Sequence, residues 1–263
     1  MKTSPNKITL NIDSNAKVSV KGFIAPIEYT QYNFHVRWDT LANLRVAEPE
    51  KQYSASIFRD FLPKEVSVSV GTLWEIEHAG VLELLKQLHP EPHLDMHGDS
   101  GDSCGLWACL RAYNAEFVDI VFRIHAEFAL PNGWFTPSQF AGHLIIDRAR
   151  EEVVFFQMSV PKGTLNFDTW RNTAEDADRP IWSTDIGFCP QMELRVGTED
   201  GMPNTEFIES ITQEEAEYKL VRCFYKSQQI NWVSLEEALE SAPAQQKPIH
   251  AISINGPLAD ESC

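Results

Sequence analysis

Basic residues are scarce in this 263-residue chain: 22 Lys and Arg stand against 38 Asp and Glu, a formal net charge of −16. A surface of that sign repels a phosphate backbone, so nucleic acid is not an expected partner. Long apolar runs are missing as well. No stretch of about 18 apolar residues occurs, which is what a membrane-spanning helix requires. The opening Met1-Lys-Thr-Ser-Pro-Asn-Lys-Ile-Thr-Leu10 holds no signal-peptide apolar segment. The expectation is a cytoplasmic chain with no membrane partner. Cysteine is limited to Cys104, Cys109, Cys189, Cys223 and Cys263, an odd number at irregular spacing. That pattern predicts mostly reduced thiols and argues against a disulfide framework. A Gly-rich phosphate loop, a G-x-S-x-G elbow and a zincin motif are all absent.

What is present is the apolar supply of a folded protein: 43% hydrophobic residues with 15 Phe and 7 Trp, in a length suited to one large or two smaller units. Short alternating segments at 8–12, 18–23, 32–36 and 66–70, separated by Asn, Asp, Gly and Pro, read as strands and turns. Thr72-Leu-Trp-Glu75 has the form of a capping box, and Leu73, Ile76, Val81, Leu84, Leu85 and Leu88 follow at helical spacing, predicting a helix over 72–88 that ends at His89-Pro90. Residues 89–104 read as a loop. Further strands are predicted over 117–130, over 140–146 and 153–160 around the turn 147–152, and over 184–196 with a break at Pro190. The polar segments 171–180 and 197–206 read as surface loops. Thr212-Gln-Glu-Glu215, with Ile211 and Ala216 as a hydrophobic staple, opens a helix to about residue 225. Ser234-Leu-Glu-Glu237 opens another that Pro243 should end, and a strand is expected over 249–254.

Three constellations could carry chemistry. His89, His93 and His97, with Asp95, Asp99, Cys104 and Cys109 nearby, offer nitrogen, oxygen and sulfur ligands for a transition metal. Pro90, Pro92 and Gly98 make the segment a loop, however, so the i, i+4 face that would align the histidines on a helix is lost. Gly98-Asp-Ser-Gly-Asp102 lacks the length and terminal Glu of a calcium loop. The second constellation is a stripe of Arg123, His125 and Glu127 on one face of the 117–130 strand, with His143 as a candidate neighbour; it reads either as a functional polar face or as a structural charge network. The third is the C-terminal order of helix, strand, turn and Cys263, which is how a thioredoxin-like redox domain begins.

Phe122-Arg-Ile-His-Ala-Glu-Phe128, Trp134-Phe-Thr-Pro-Ser-Gln-Phe-Ala-Gly-His-Leu-Ile-Ile146 and Asp185-Ile-Gly-Phe-Cys-Pro-Gln-Met-Glu-Leu194 resemble segments of the selenoprotein N family. Val160-Pro161, Leu165-Asn166, Phe58-Arg-Asp-Phe-Leu-Pro63 and Leu88-His-Pro90 extend the resemblance. The redox word of that family is Ser-Cys-selenocysteine-Gly, and Ser262-Cys263 matches its first two residues. The resemblance implies a thiol/selenol-disulfide oxidoreductase acting on a disulfide-containing protein or a peroxide. It implies no bound cofactor beyond a selenocysteine immediately after Cys263, and Cys263 as the catalytic thiol. In animals the family is linked to the endoplasmic reticulum membrane and to calcium handling. This chain carries no anchor, EF-hand or selenocysteine, so a bacterial, cytoplasmic relative is expected and calcium sensing does not carry over.

The expectation is therefore an α+β chain. Residues 1–225 form a β-rich domain with a few helices, and 226–263 form the truncated start, helix plus strand, of a thioredoxin-like domain. On this reading the 263-residue chain stops at a selenocysteine codon and is itself inactive. The alternatives are a non-catalytic protein-binding module that uses the Arg123, His125, Glu127 and His143 face, and a metal-binding protein that uses His89, His93, His97 and Cys104.

Overall fold

Alternation of side chains builds most of the fold. Along β1 (Lys17–Ile24) every second residue, from Val18 to Ile24, is buried while the residues between are exposed, as a strand with one face on the core requires. The computed structural model describes residues 7–12, 15–64, 67–94, 105–163, 165–174, 181–198, 206–224 and 229–251. In chain order the further strands are β2 (Tyr29–Thr30), β3 (Glu50–Ser54), β4 (Leu73–Glu75), β5 (Pro92–His93), β6 (Leu106–Tyr113), β7 (Phe117–Ile124), β8 (Glu127–Leu130) and β9 (Gly133–Pro137). They continue with β10 (Phe140–Asp147), β11 (Glu152–Ser159), β12 (Phe167–Asn172), β13 (Trp182–Phe188), β14 (Met192–Val196) and β15 (Glu209–Ser210). The helices are α1 (Phe34–Arg37), α2 (Asp39–Ala42), α3 (His78–Leu88), α4 (Gln213–Phe224) and α5 (Leu235–Gln245), with a 3-10 helix at Ala55–Phe61.

The larger sheet has the order β15-β6-β7-β10-β11-β14-β1-β3, with β4 also on β6, and the smaller sheet has the order β2-β13-β12-β9-β8-β5. The middle four strands of the larger sheet and the run β8-β9-β12-β13 of the smaller one follow the same sequence in space. The chain passes from one sheet to the other four times, near residues 125–126, 138–139, 160–166 and 189–191. Two long hairpins thus bend together, one from β7 to β10 and one from β11 to β14. Asn166 holds the bend of the second hairpin, its amide nitrogen donating to the Cys189 carbonyl at 2.8 Å and its oxygen accepting from the Cys189 N–H at 2.7 Å.

Between the sheets lies one main core. Phe122 and Phe156 stack at 5.6 Å, and Phe58 and Phe61 of the 3-10 helix meet them edge-on, all four fully buried. Leu84, Leu85 and Leu88 of α3 join the same cluster. A second, smaller cluster lies on the opposite face of the larger sheet, where Ala216 and Leu220 of α4 cover Cys109 and Val121.

The β-rich α+β architecture and the 140–160 hairpin agree with the sequence reading, as do the break around Pro190 and the capped start of α4. Several local expectations do not. The helix predicted from Thr72 starts at His78, because Leu73, Trp74 and Glu75 pair with Cys109, Ala108 and Trp107 as a strand. The strand predicted over 32–36 is α1. The buried Asp185 carboxylate accepts from the N–H groups of Tyr32 at 2.8 Å and Phe34 at 3.0 Å, and Asn33 adopts a left-handed backbone at φ 64°. The predicted loop 89–104 contains the short strand β5, and residues 95–104 lie outside the described residues. Pro243 does not end α5, which runs on to Gln245. Of the strand expected over 249–254, residues 249–251 carry no strand and the remainder lies outside the described residues.

Candidate functional site

The stripe lies at the first bend. Arg123 is the last residue but one of β7 in the larger sheet, His125 sits in the crossing with its N–H on the Gly105 carbonyl at 2.8 Å, and Glu127 opens β8 in the smaller sheet. Alternation carries all three to the same side of the run. Val118, Ile120, Phe122, Ile124, Ala126 and Phe128 take the other side and enter the main core. The three polar side chains are nonetheless buried, with 9%, 1% and 5% of their surface exposed. Charges held so far from water require partners. The Arg123 Nε donates to the Oε1 of buried Gln139, which occupies the return crossing of the same hairpin. Phe224, the last residue of α4, lies 6.0 Å from the Arg123 guanidinium. His125 Nε2 is 3.7 Å from Glu127 Oε1. Side chains buried to this degree do not form a face that a partner protein could touch.

His143 lies opposite Val121 on β7, on the same side of the larger sheet as Arg123, and its described partner is Asp119, with Nδ1 3.3 Å from Oδ1. Asp119 is also held by Arg111 of β6, whose Nε donates at 2.7 Å and whose Nη2 makes a second, short bond. Burial by itself would raise the Asp119 carboxyl, but the hydrogen bond and charge of His143 and the guanidinium of Arg111 outweigh it and hold the group below its ordinary value. Arg111, Asp119 and Gln139 were not singled out from the sequence. Asp119 was findable, because it shares the parity of Arg123 four residues upstream and so had to lie on the same side of β7.

The metal candidates are spread among aromatic contacts. His89 caps α3 and meets the Phe128 ring at 5.7 Å; burial pushes its pKa below the usual value, against the opposing charge of Glu91. His93 meets Trp134 at 4.9 Å and pairs with Glu127 in the β5–β8 ladder. His97, Cys104 and Cys263 lie outside the described residues. Among the described residues no group of three or more His, Cys, Asp or Glu is placed to hold a metal ion. Nor, among them, is any helix long and apolar enough to cross a membrane. Cys109 and Cys189 are buried free thiols, and desolvation pushes each up to about 11.

These features define a β-rich α+β protein in which two sheets share their strands across a charged, buried bend. The chain belongs to a selenoprotein N-like family. It is 30% identical to selenoprotein N of Danio rerio over 83% of this chain and 48% of that protein. It is 29% identical to the Mus musculus protein over 82% of this chain and 48% of that one, and 31% identical to the Homo sapiens protein over 68% and 35%. The chain thus spans about half the length, or less, of the curated relatives it matches. No family model matches the chain, and no solved structure matches it.

The sequence words that carry the resemblance occupy the bends. Residues 122–128 and 134–146 are the two arms of the first hairpin. In 185–194, Asp185 holds α1, Cys189 bonds Asn166, and a Cβ on Gly187 would lie 2.6 Å from the Tyr29 carbonyl oxygen.

Proposed function

We propose that this chain carries the scaffold of a selenoprotein N-type thiol/selenol-disulfide oxidoreductase, with Cys263 as one half of its redox motif and a disulfide-containing protein or a hydroperoxide as substrate. The observation that carries this reading is the relation to selenoprotein N along 83% of the chain. Ser262-Cys263 supplies the matching start of the family's redox word. A selenocysteine following Cys263 in the full-length parent would supply a nucleophile that is ionised at neutral pH. The Cys263 thiol then pairs with it, and the two electrons released reduce a substrate disulfide to two thiols. Cys109 and Cys189 are poor substitutes, being buried and protonated at neutral pH.

The C-terminal helix supports a further folded unit, thioredoxin-like on this reading. Leu235 and Leu239, one helical turn apart on α5, are 60% and 57% exposed, and α5 buries none of its residues against the β-rich part. An apolar stripe of this kind is what a following sheet would cover.

The test begins with the nucleotides after the Cys263 codon. A UGA followed by a Gly codon and a long open frame is the expected result; a UAA with no downstream frame would refute the proposal. The extended frame, expressed with Cys at the selenocysteine position, should reduce a disulfide substrate, and Cys263→Ser should abolish that reduction.

A second reading, a non-catalytic protein-binding module, is favoured by a different surface from the buried stripe. Tyr29, Trp170 and Trp182 of the smaller sheet are 52%, 47% and 50% exposed. Trp170 pairs with Trp134 across β12 and β9, so the aromatic residues share one face. The same assay separates the two readings, since a binding module shows no disulfide reduction whether or not Cys263 is present.

A further inference from the structure

We propose that Cys109 and Cys223 form an oxidisable thiol pair that closes into a disulfide between β6 and α4 when the protein meets a hydroperoxide. This pair is separate from Cys263 and does not depend on the redox reading above.

Cys109 points to the side of the larger sheet that α4 covers, where it packs with Val121, Ala216 and Leu220 and has no exposed surface. Ala216, Leu220 and Cys223 stand at i, i+4 and i+7, so they line one face of α4. Ala216 carries no bulk beyond Cβ, which lets the helix approach the sheet closely. Side chains on a helix lean toward the preceding turn. Cys223 does so, its Sγ donating to the Lys219 carbonyl one turn back along α4 at 3.5 Å. Lys219 and Cys223 both lie near enough to the Cys109 thiol to act on its ionisation, Lys219 favouring the thiolate and Cys223 opposing it, while burial dominates. Both cysteines are free thiols.

Their unequal exposure sets the order of events. Cys223 is half-buried and can be reached from solvent, whereas Cys109 cannot. A hydroperoxide ROOH oxidises the Cys223 thiol to a sulfenic acid and leaves as ROH. The Cys109 sulfur then attacks the Cys223 sulfur, an S–S bond forms, and the sulfenic oxygen leaves as water with the thiol proton. Burial pushes both thiols above their ordinary value, so the first step is slow at neutral pH and quickens as the solution becomes more alkaline. The second step is intramolecular, which offsets the weak ionisation of Cys109.

The bond would fix the end of α4. Phe224, next to Cys223, lies over the Arg123 guanidinium, so oxidation would also hold that aromatic cover on the buried stripe.

The experiment treats the full 263-residue chain with hydrogen peroxide, blocks free thiols, digests without reductant and maps the peptides by mass spectrometry. The expected product joins Cys109 to Cys223 with the loss of two hydrogens, reverts with dithiothreitol, and melts several degrees above the reduced protein. The same product should form in Cys263→Ser and be missing from Cys223→Ser. A product in which Cys109 stays a free thiol overturns the proposal, whether Cys223 is reduced, over-oxidised to sulfinic acid or bridged to another cysteine.

Discussion

His143 places its Nδ1 3.3 Å from Oδ1 of Asp119, a carboxylate that Arg111 grips from the other side. Three neighbouring strands are tied together by one buried negative charge. Replacing Asp119 with Ala strands the Arg111 guanidinium, which is only 19% exposed, and should cost about 3 kcal/mol in urea unfolding. The pH dependence follows from the lowered Asp119 value. In the unfolded chain the carboxyl titrates near its ordinary value of about 3.9, so its contribution is complete above that pH and is lost as the pH falls through the lower folded value. Urea midpoints measured from pH 6 to pH 2 should therefore fall more steeply for the natural chain than for Asp119→Asn. Parallel curves would refute the assignment.

Gly142 lies in β10, immediately before His143, and it is required for close approach. A Cβ there would sit 2.1 Å from the Gln157 carbonyl oxygen and 2.4 Å from Cζ of Phe122. The strands cannot separate locally without disturbing the Phe122–Phe156 stack beneath them. Gly142→Ala should destabilise the protein by about 3 kcal/mol, at the upper end of overpacking penalties. A change below about 0.5 kcal/mol in the denaturation midpoint analysis would show that the ladder yields there.

What could be read from the sequence was whatever neighbouring residues decide among themselves. The turn 147–152 is closed by Asp147, which accepts from the N–H groups of Ala149 and Arg150, and the start of α4 is closed by Thr212 and Glu215. What escaped depends on distant partners. The Thr72 box lost to a strand pairing with residues 107–109, and the 32–36 segment became a helix because a carboxylate about 150 residues away caps it. The alternation of Arg123, His125 and Glu127 was visible, but their burial depends on a bend between sheets. His143 was expected beside that stripe and stands on that side of the sheet, but the Asp119 carboxylate that holds it there was not foreseen.

Two capping residues of the same chemical kind should behave differently. Thr212 Oγ1 accepts from the Glu215 N–H at 3.1 Å and Ser234 Oγ accepts from the Glu237 N–H at 3.1 Å. Removing a cap typically costs about 1 kcal/mol. α4 is anchored on the sheet by buried Ala216, Leu220 and Phe224, so Thr212→Ala should lower global stability by about that amount. α5 buries no residue, so Ser234→Ala should leave the main unfolding transition in place and only speed amide exchange within residues 235–245. Equal shifts of the main transition in both variants would mean that α5 unfolds with the β-rich part.

The exposed stripe on α5 offers a test of whether a second folded unit exists. Leu239 is 57% exposed, and a surface substitution at such a site usually changes stability by less than about 0.5 kcal/mol. Leu239→Asp should accordingly be silent in the 263-residue chain. In the extended open frame the same residue would lie against the sheet of the redox unit. There the carboxylate would be desolvated without a partner, at a cost of about 2 kcal/mol or more to that unit. Thermal unfolding of both lengths, each with and without Leu239→Asp, separates the cases. Sensitivity that appears only in the longer chain supports a domain beginning near residue 226, whereas silence in both would mean that α5 is a solvated helix that no following sheet covers.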